Sequence, residues 1–248
     1  MYIRRDSHKR AYVLTRKQIT PDRPISYRMS MLERITRREE ADLFIAWLAI
    51  SLSFAIVEIA PYGFLGPLRQ VGAGTAVVLF GIALLTVGIG FILHEMAHKF
   101  TAIRYGYWAE FRRDNSMLLV AVAMAALVGF VFAAPGATVI YTNPYAGRGL
   151  TREENGKISA SGPVMNLLLC IAFAALFFAA GGVAALHADT LLARIGIAGV
   201  QINAMIATFN LIPISILDGT KVWAWNKAVF AVLIVAAVAT LYASVSVF

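Results

Sequence analysis

The sequence predicts an all-α integral membrane protein with five to six transmembrane helices and one short β or re-entrant element. Three observations predict it. Of the 248 residues, 59% are hydrophobic and 15% charged, with a mean hydropathy of +0.71, whereas a soluble globular domain is nearer half apolar and a quarter charged. Runs of about twenty apolar residues recur along the chain, the length a helix needs to cross a bilayer core. The basic residues crowd ahead of the first such run: half of the 22 lie within the first 42 positions. A soluble enzyme, a disordered tail and a disulfide scaffold are all set aside. The single cysteine, Cys170, sits inside an apolar run, so there is neither a disulfide framework nor a Cys-rich metal site.

The first element is the polar segment 1–42, in which eleven basic residues are interspersed with six acids. It reads as a cytoplasmic tail obeying the positive-inside rule and attracted to anionic lipid, not as a nucleic-acid arm. A signal peptide does not fit, because such segments place their apolar core within about the first 15–30 residues. A polytopic membrane domain, 43–248, follows. Its first apolar stretch is Leu43–Ala60, closed by the Pro/Gly turn Pro61–Pro67. Ala76–Phe100 is the second and runs on to about Tyr105; Met117–Ala134 is the third and ends at Pro135-Gly136. Gly136–Tyr141 (GATVIY) is short and β-branched-rich, and reads as a strand. The polar stretch Thr142–Lys157 leads into Ile158–Ala180. Thr190–Ile212 stops at Pro213, and Ala228–Phe248 closes the chain.

Polar residues inside such a chain carry the information, because burying them in hydrocarbon is costly. The second stretch contains His94-Glu95-Met96-Ala97-His98, an HExxH pattern. On a helix, His94 and His98 lie about 40° apart and about 6 Å along the axis, so two imidazoles can meet one metal ion. Glu95 lies about 100° from its neighbour, near enough to reach water at the metal without being a ligand. With four His and eight Glu in 248 positions, chance gives this pattern about two times in a thousand (248 × (4/248)² × (8/248)). Packed histidines beside a solvent-facing glutamate explain it poorly, since the helix is apolar on every side.

Two histidines leave a zinc site short of a third protein ligand. Cys170 lies mid-helix in an apolar context. Glu58 sits near the far end of the first helix, where capping or interfacial pairing is its ordinary use. His187 and Asp189 occupy a short polar connection. Asp218 is the strongest candidate: it lies in Asn210-Leu-Ile-Pro-Ile-Ser-Ile-Leu-Asp218-Gly219, just beyond an apolar helix, where the alternative is an ordinary Asp-Gly turn.

HExxH within an apolar helix, Gly162-Pro163-Val164-Met165-Asn166, and Asn210-Leu-Ile-Pro followed by Asp218-Gly219 together resemble the signature of the site-2 protease family of intramembrane zinc metalloproteases. The resemblance covers about 76–221. It implies His94, His98 and Asp218 as ligands of one zinc ion and Glu95 as the catalytic carboxylate. It further implies Asn210 as a group holding substrate or oxyanion, and Asn166 in a supporting role. Two departures stand out: Thr220 replaces a second glycine after Asp-Gly, and Met117–Ala134 is an extra apolar stretch between the first two motifs. No soluble recognition domain has room between them.

The expected chemistry is hydrolysis of peptide bonds in or near transmembrane segments of other membrane proteins. Zinc acidifies water and polarises the scissile carbonyl, Glu95 takes and returns the proton, and an asparagine donates to the oxyanion. A substrate helix must unwind locally, and Gly136–Tyr141 could receive it as an added strand. A membrane metal transporter or metal-binding protein is the competing class, although transporters spread ionisable groups over several helices. Topology follows from the ligands. If the N-terminus is inside, the second helix and Thr190–Ile212 must run the same way for Asp218 to meet the histidines. Met117–Ala134 and Ile158–Ala180 then cannot both span, and the Pro135-Gly136 break makes the former the better candidate for a re-entrant or partly inserted element. In that scheme only Arg69 and Arg194 of the 22 basic residues face outward.

Overall fold

The structure is a computed structural model that describes residues 35–132, 135–142, 149–214 and 217–246. Most of the polar segment 1–42 lies outside the described residues. In chain order the elements are α1 (Arg37–Ile59), α2 (Ala73–Arg104), β1 (Trp108–Arg113), α3 (Asn115–Val128) and β2 (Gly136–Tyr141), then α4 (Arg152–Ala179), α5 (Gly182–His187), α6 (Leu191–Asn210), α7 (Asp218–Trp225) and α8 (Lys227–Val245).

Five of these helices, α1, α2, α4, α6 and α8, are long and apolar enough to cross a membrane, so the molecule is a multi-pass membrane protein. Their ends follow local chemistry. The Thr36 hydroxyl accepts from the Glu39 amide and starts α1 six residues before the apolar stretch begins. Thr151 and Glu154 form a full capping box at the start of α4, which begins the helix inside the polar stretch. Small residues then set the packing. A side chain at Gly196 would meet Phe177, and one at Gly199 would meet Phe173 at 2.2 Å, so α4 and α6 approach closely through glycine faces.

The third apolar stretch forms a shorter helix than the other five. α3 has 14 residues, about 21 Å of helix against a hydrocarbon core of about 30 Å. It ends at Gly129, which takes the left-handed C-cap with φ 73°. The chain then returns: Arg113 pairs with Gly136 across the β1–β2 ladder, and the Asp114 amide donates to the Pro135 carbonyl at 2.9 Å. The two ends of the segment 114–135 are thus held together at the sheet. β2 was expected as a strand, but its antiparallel partner β1 is a strand the sequence reading did not identify. The two form a small sheet in the register Trp108↔Tyr141 to Arg113↔Gly136.

Asp218 does not stand in a simple exit turn. It opens α7, an eight-residue helix. A Cβ on Gly219 would lie 2.1 Å from the Leu211 carbonyl oxygen, so only glycine fits there. Thr220 occupies an ordinary helical position, and α7 forms without the second glycine.

Candidate metal centre

His94 and His98 project one turn apart from α2, with ring centroids 4.6 Å apart and planes at 87°. Both are buried, as are Glu95 and Asp218. The three prospective donor atoms converge: Nε2 of His94 and Nε2 of His98 are 3.0 Å apart. Asp218 Oδ2 lies 3.4 Å from the first and 3.0 Å from the second. Four ligands around zinc at about 2.0–2.1 Å would stand about 3.3 Å from one another, so the spacing suits one such ion. Among the described residues, this is the group of three able to hold a metal.

The hydrogen bonds behind the rings fix which nitrogen faces inward. Asn166 Nδ2 donates to the Gly90 carbonyl at 3.1 Å and to Asn203 Oδ1 at 2.8 Å. Asn203 Nδ2 in turn donates to the Gly199 carbonyl at 2.8 Å. Those carbonyls can only accept, so both amides are oriented, and Asn166 Oδ1 must accept the proton of His94 Nδ1 at 2.6 Å. His98 Nδ1 likewise donates to the Ile158 carbonyl at 2.7 Å. Each neutral ring therefore presents a lone pair at Nε2. Two lone pairs and a carboxylate oxygen within 3.4 Å, with no proton between them, repel unless a cation is shared. The donor set thus fits zinc.

Room for the cluster is made by α4. A Cβ on Gly162 would fall 2.5 Å from His98 Nε2 and 2.6 Å from His94 Nε2. Lys221, one turn along α7, lies 3.8 Å from Asp218 Oδ1.

A cleft of about 480 Å³ opens onto the cluster and is lined by His94, Glu95, His98, Asn210 and Asp218 together with β2. Glu95 is tied to the strand: Thr138 Oγ1 donates to Glu95 Oε2 at 2.7 Å. Asn210 closes α6 at the cleft wall, its Nδ2 donating to the Ile206 carbonyl one turn back at 3.0 Å. Asn166 lies behind His94 and reaches the centre only through that ring. The other sequence candidates lie elsewhere. Cys170 Sγ contacts the Val200 carbonyl at 3.6 Å, Glu58 pairs with Arg69 at 3.5 Å, and Asp189 pairs with Arg194 at 3.3 Å; His187 closes the short helix α5.

Two residues were not foreseen. Asn203 is a lone polar group on a buried face of an apolar helix, a signal the sequence does carry. Thr138 gives no such signal, because its role depends on the register of β2 against α2.

A bundle of membrane-length helices around a buried His-His-Asp cluster defines a multi-pass membrane protein with a site able to hold a metal ion. Comparison with known proteins then names the chemistry. A protein of Methanocaldococcus jannaschii, provisionally named a zinc metalloprotease, is 36% identical over 200 residues, spanning 81% of this chain and 91% of the relative. The chain belongs to the same zinc metalloprotease family. No protein-family model and no solved structure matches it.

Proposed function

We propose that this chain is an intramembrane endopeptidase of the site-2 protease type. It hydrolyses peptide bonds in or next to transmembrane segments of other membrane proteins. The observation that carries this reading is the cleft in which one strand edge, one buried glutamate and the three convergent donors face the same space. His94, His98 and Asp218 would hold one zinc ion. Zinc, when bound, supplies the positive charge that acidifies water and polarises a peptide carbonyl. Glu95 receives the proton of the attacking water and returns it to the leaving amine. Thr138 keeps the carboxylate aimed into the cleft. Asn210 donates to the developing oxyanion through the second proton of Nδ2, the first being held by the Ile206 carbonyl. Asn166 positions His94.

The sheet register supports strand addition. The Phe111 amide donates to Glu39 and not to β2, so the Phe111–Thr138 pair is of the non-hydrogen-bonded kind. By alternation, the amides and carbonyls of Gly136, Thr138 and Ile140 point away from β1. An unwound substrate segment could pair with them while its side chains meet the cleft. The positive-inside rule favours a cytoplasmic N-terminus in the cell membrane, with the centre towards the cytoplasmic side. Its substrates are membrane proteins held in the same bilayer; nucleic acid has no part in this reading.

The test uses the purified full chain in detergent with a model transmembrane substrate. Cleavage should require zinc, cease with a chelator and resume on zinc addition. Glu95→Gln should keep zinc yet lower turnover by about 10²-fold or more. Zinc binding with no cleavage by the unmodified protein would favour a metal-binding or transport role, and full proteolysis by Glu95→Gln would refute the mechanism.

A further inference from the structure

Glu39 and Lys99 are fully buried, and they pair with each other. Neither belongs to the metal centre. Lys99 directly follows His98 on α2, while Glu39 sits in the first turn of α1, outside the apolar stretch. Burying a carboxylate and an ammonium together is costly unless their remaining hydrogen-bonding capacity is met. Here it is met by the sheet: the second oxygen, Oε1 of Glu39, accepts from the Phe111 amide of β1 at 3.0 Å. Lys99 Nζ also stands 5.7 Å from the centre of the Trp108 ring at the start of the same strand.

The local sequence makes this choice more telling. Thr36-x-x-Glu39 has the spelling of a capping box, in which the glutamate would fold back on its own helix. At Thr151 and Glu154 the same spelling closes in that way. Glu39 instead sends both oxygens across to α2 and β1. Nearby, Asp42 pairs with Arg113 at 3.3 Å and lies 3.7 Å from Arg112, so the first two turns of α1 grip β1 at successive residues.

Phe111 stands opposite Thr138 in the ladder, and Thr138 donates to Glu95. The path is therefore closed: Lys99 on α2, Glu39 on α1, Phe111 on β1, Thr138 on β2, and back to Glu95 on α2. We propose that Glu39 is a positioning residue for the reaction. Its carboxylate, neutralised by Lys99, fixes the height and register of the sheet over the HExxH turn, so that one setting serves both the receiving strand edge and the aim of Glu95. The proposal rests on the reading of Glu95 as the base and of β2 as the receiving strand.

Removing either charge alone would strand the other in the interior, so the test uses matched double variants. Glu39→Gln with Lys99→Met removes the ion pair but keeps an oxygen that can accept from Phe111. Glu39→Leu with Lys99→Met removes the ion pair and the acceptor. Both are compared in the full-length protein for zinc content, cleavage of the model substrate and hydrogen exchange of the β1 and β2 amides. The Gln/Met protein should cleave near the unmodified rate. The Leu/Met protein should retain zinc but turn over about tenfold slower or worse, with sheet amides exchanging about tenfold faster. Equal exchange and equal turnover in the two doubles would overturn the proposal. Should the Leu/Met protein fail to fold, Thr138→Val cuts the same path at its other end and must reproduce both effects; unmodified exchange and turnover in that variant would overturn it equally. If even the unmodified protein cleaves nothing, the protease reading fails, and the exchange comparison still decides whether Glu39 sets the sheet.

Discussion

Gly162→Ala is the sharpest single test of the metal centre, because it adds one methyl group and changes nothing else in composition. Gly162 lies inside α4, and its Cβ would stand 2.5 Å from His98 Nε2, 2.6 Å from His94 Nε2 and 2.6 Å from His94 Cε1. Ordinary van der Waals contact begins near 3.4 Å, so both rings must retreat, His98 by about 0.9 Å (3.4 − 2.5) and His94 by about 0.8 Å (3.4 − 2.6). Neither ring can move freely, since His94 is held by Asn166 and His98 by the Ile158 carbonyl. Metal–ligand distances tolerate only about 0.2 Å, so the displaced rings cannot close on the ion with Asp218. The helix itself gains little, because Pro163 follows directly and its ring crowds the Cβ of the residue before it, offsetting the usual alanine preference of about 0.5–1 kcal/mol. The expected protein folds, keeps its helical circular dichroism and its behaviour on size-exclusion chromatography, but copurifies with less than about a tenth of the zinc. Elemental analysis, a thermal scan and the cleavage assay on one preparation decide it. A Gly162→Ala protein carrying full zinc and cleaving normally would refute the geometry of the centre.

Other expectations follow from the same geometry. His94→Ala, His98→Ala and Asp218→Ala should each lose zinc by elemental analysis, whereas Glu58→Ala and Cys170→Ala should keep it; full zinc in Asp218→Ala would remove the third ligand. Asn203→Leu leaves Asn166 Nδ2 with one acceptor fewer, so competition with a chromogenic chelator should show zinc affinity reduced by about tenfold or more. An unchanged affinity would mean that the asparagine pair serves packing alone. A cysteine at Gly149, in a Cys170→Ala background, should be labelled by an impermeant reagent from the cytoplasmic side. Labelling only from outside would reverse the orientation of the centre.

The His94, His98 and Asp218 cluster was largely legible in the sequence because its logic is local. Two histidines four apart share a helix face whatever the tertiary fold, and an ionisable residue in an apolar run is too costly to be incidental. Asp218 was found as a candidate, but the helix it opens was not, since Gly219, Thr220 and Lys221 spell a turn as readily as a first helical turn. The start of α1 was hidden for a different reason. Arg37, Arg38, Glu39 and Glu40 give no apolar period, and only the Thr36-x-x-Glu39 spacing hints that a helix begins there. That Glu39 is buried could not be read at all, because its partners are 60 and 72 residues away.

β1 is the instructive omission. Its sequence, Trp108-Ala-Glu-Phe-Arg-Arg113, carries three charges in six residues and does not look like a buried strand. Those charges are neutralised only in the fold, Arg112 by Glu110 and both arginines by Asp42. Yet the strand can be deduced from what was legible. For Asp218 to meet the histidines, α2 and α6 must point the same way, with an odd number of crossings between them. The segment 114–135 must then return to the side it left, which brings its two ends together. β2 begins at one of those ends, and a lone strand cannot satisfy its backbone polar groups. The residues able to pair with it antiparallel are those just before the excursion, and that is where β1 lies. The ligand set thus constrains the sheet, and the sheet in turn sets the distance between the strand proposed to receive substrate and the glutamate proposed as the base.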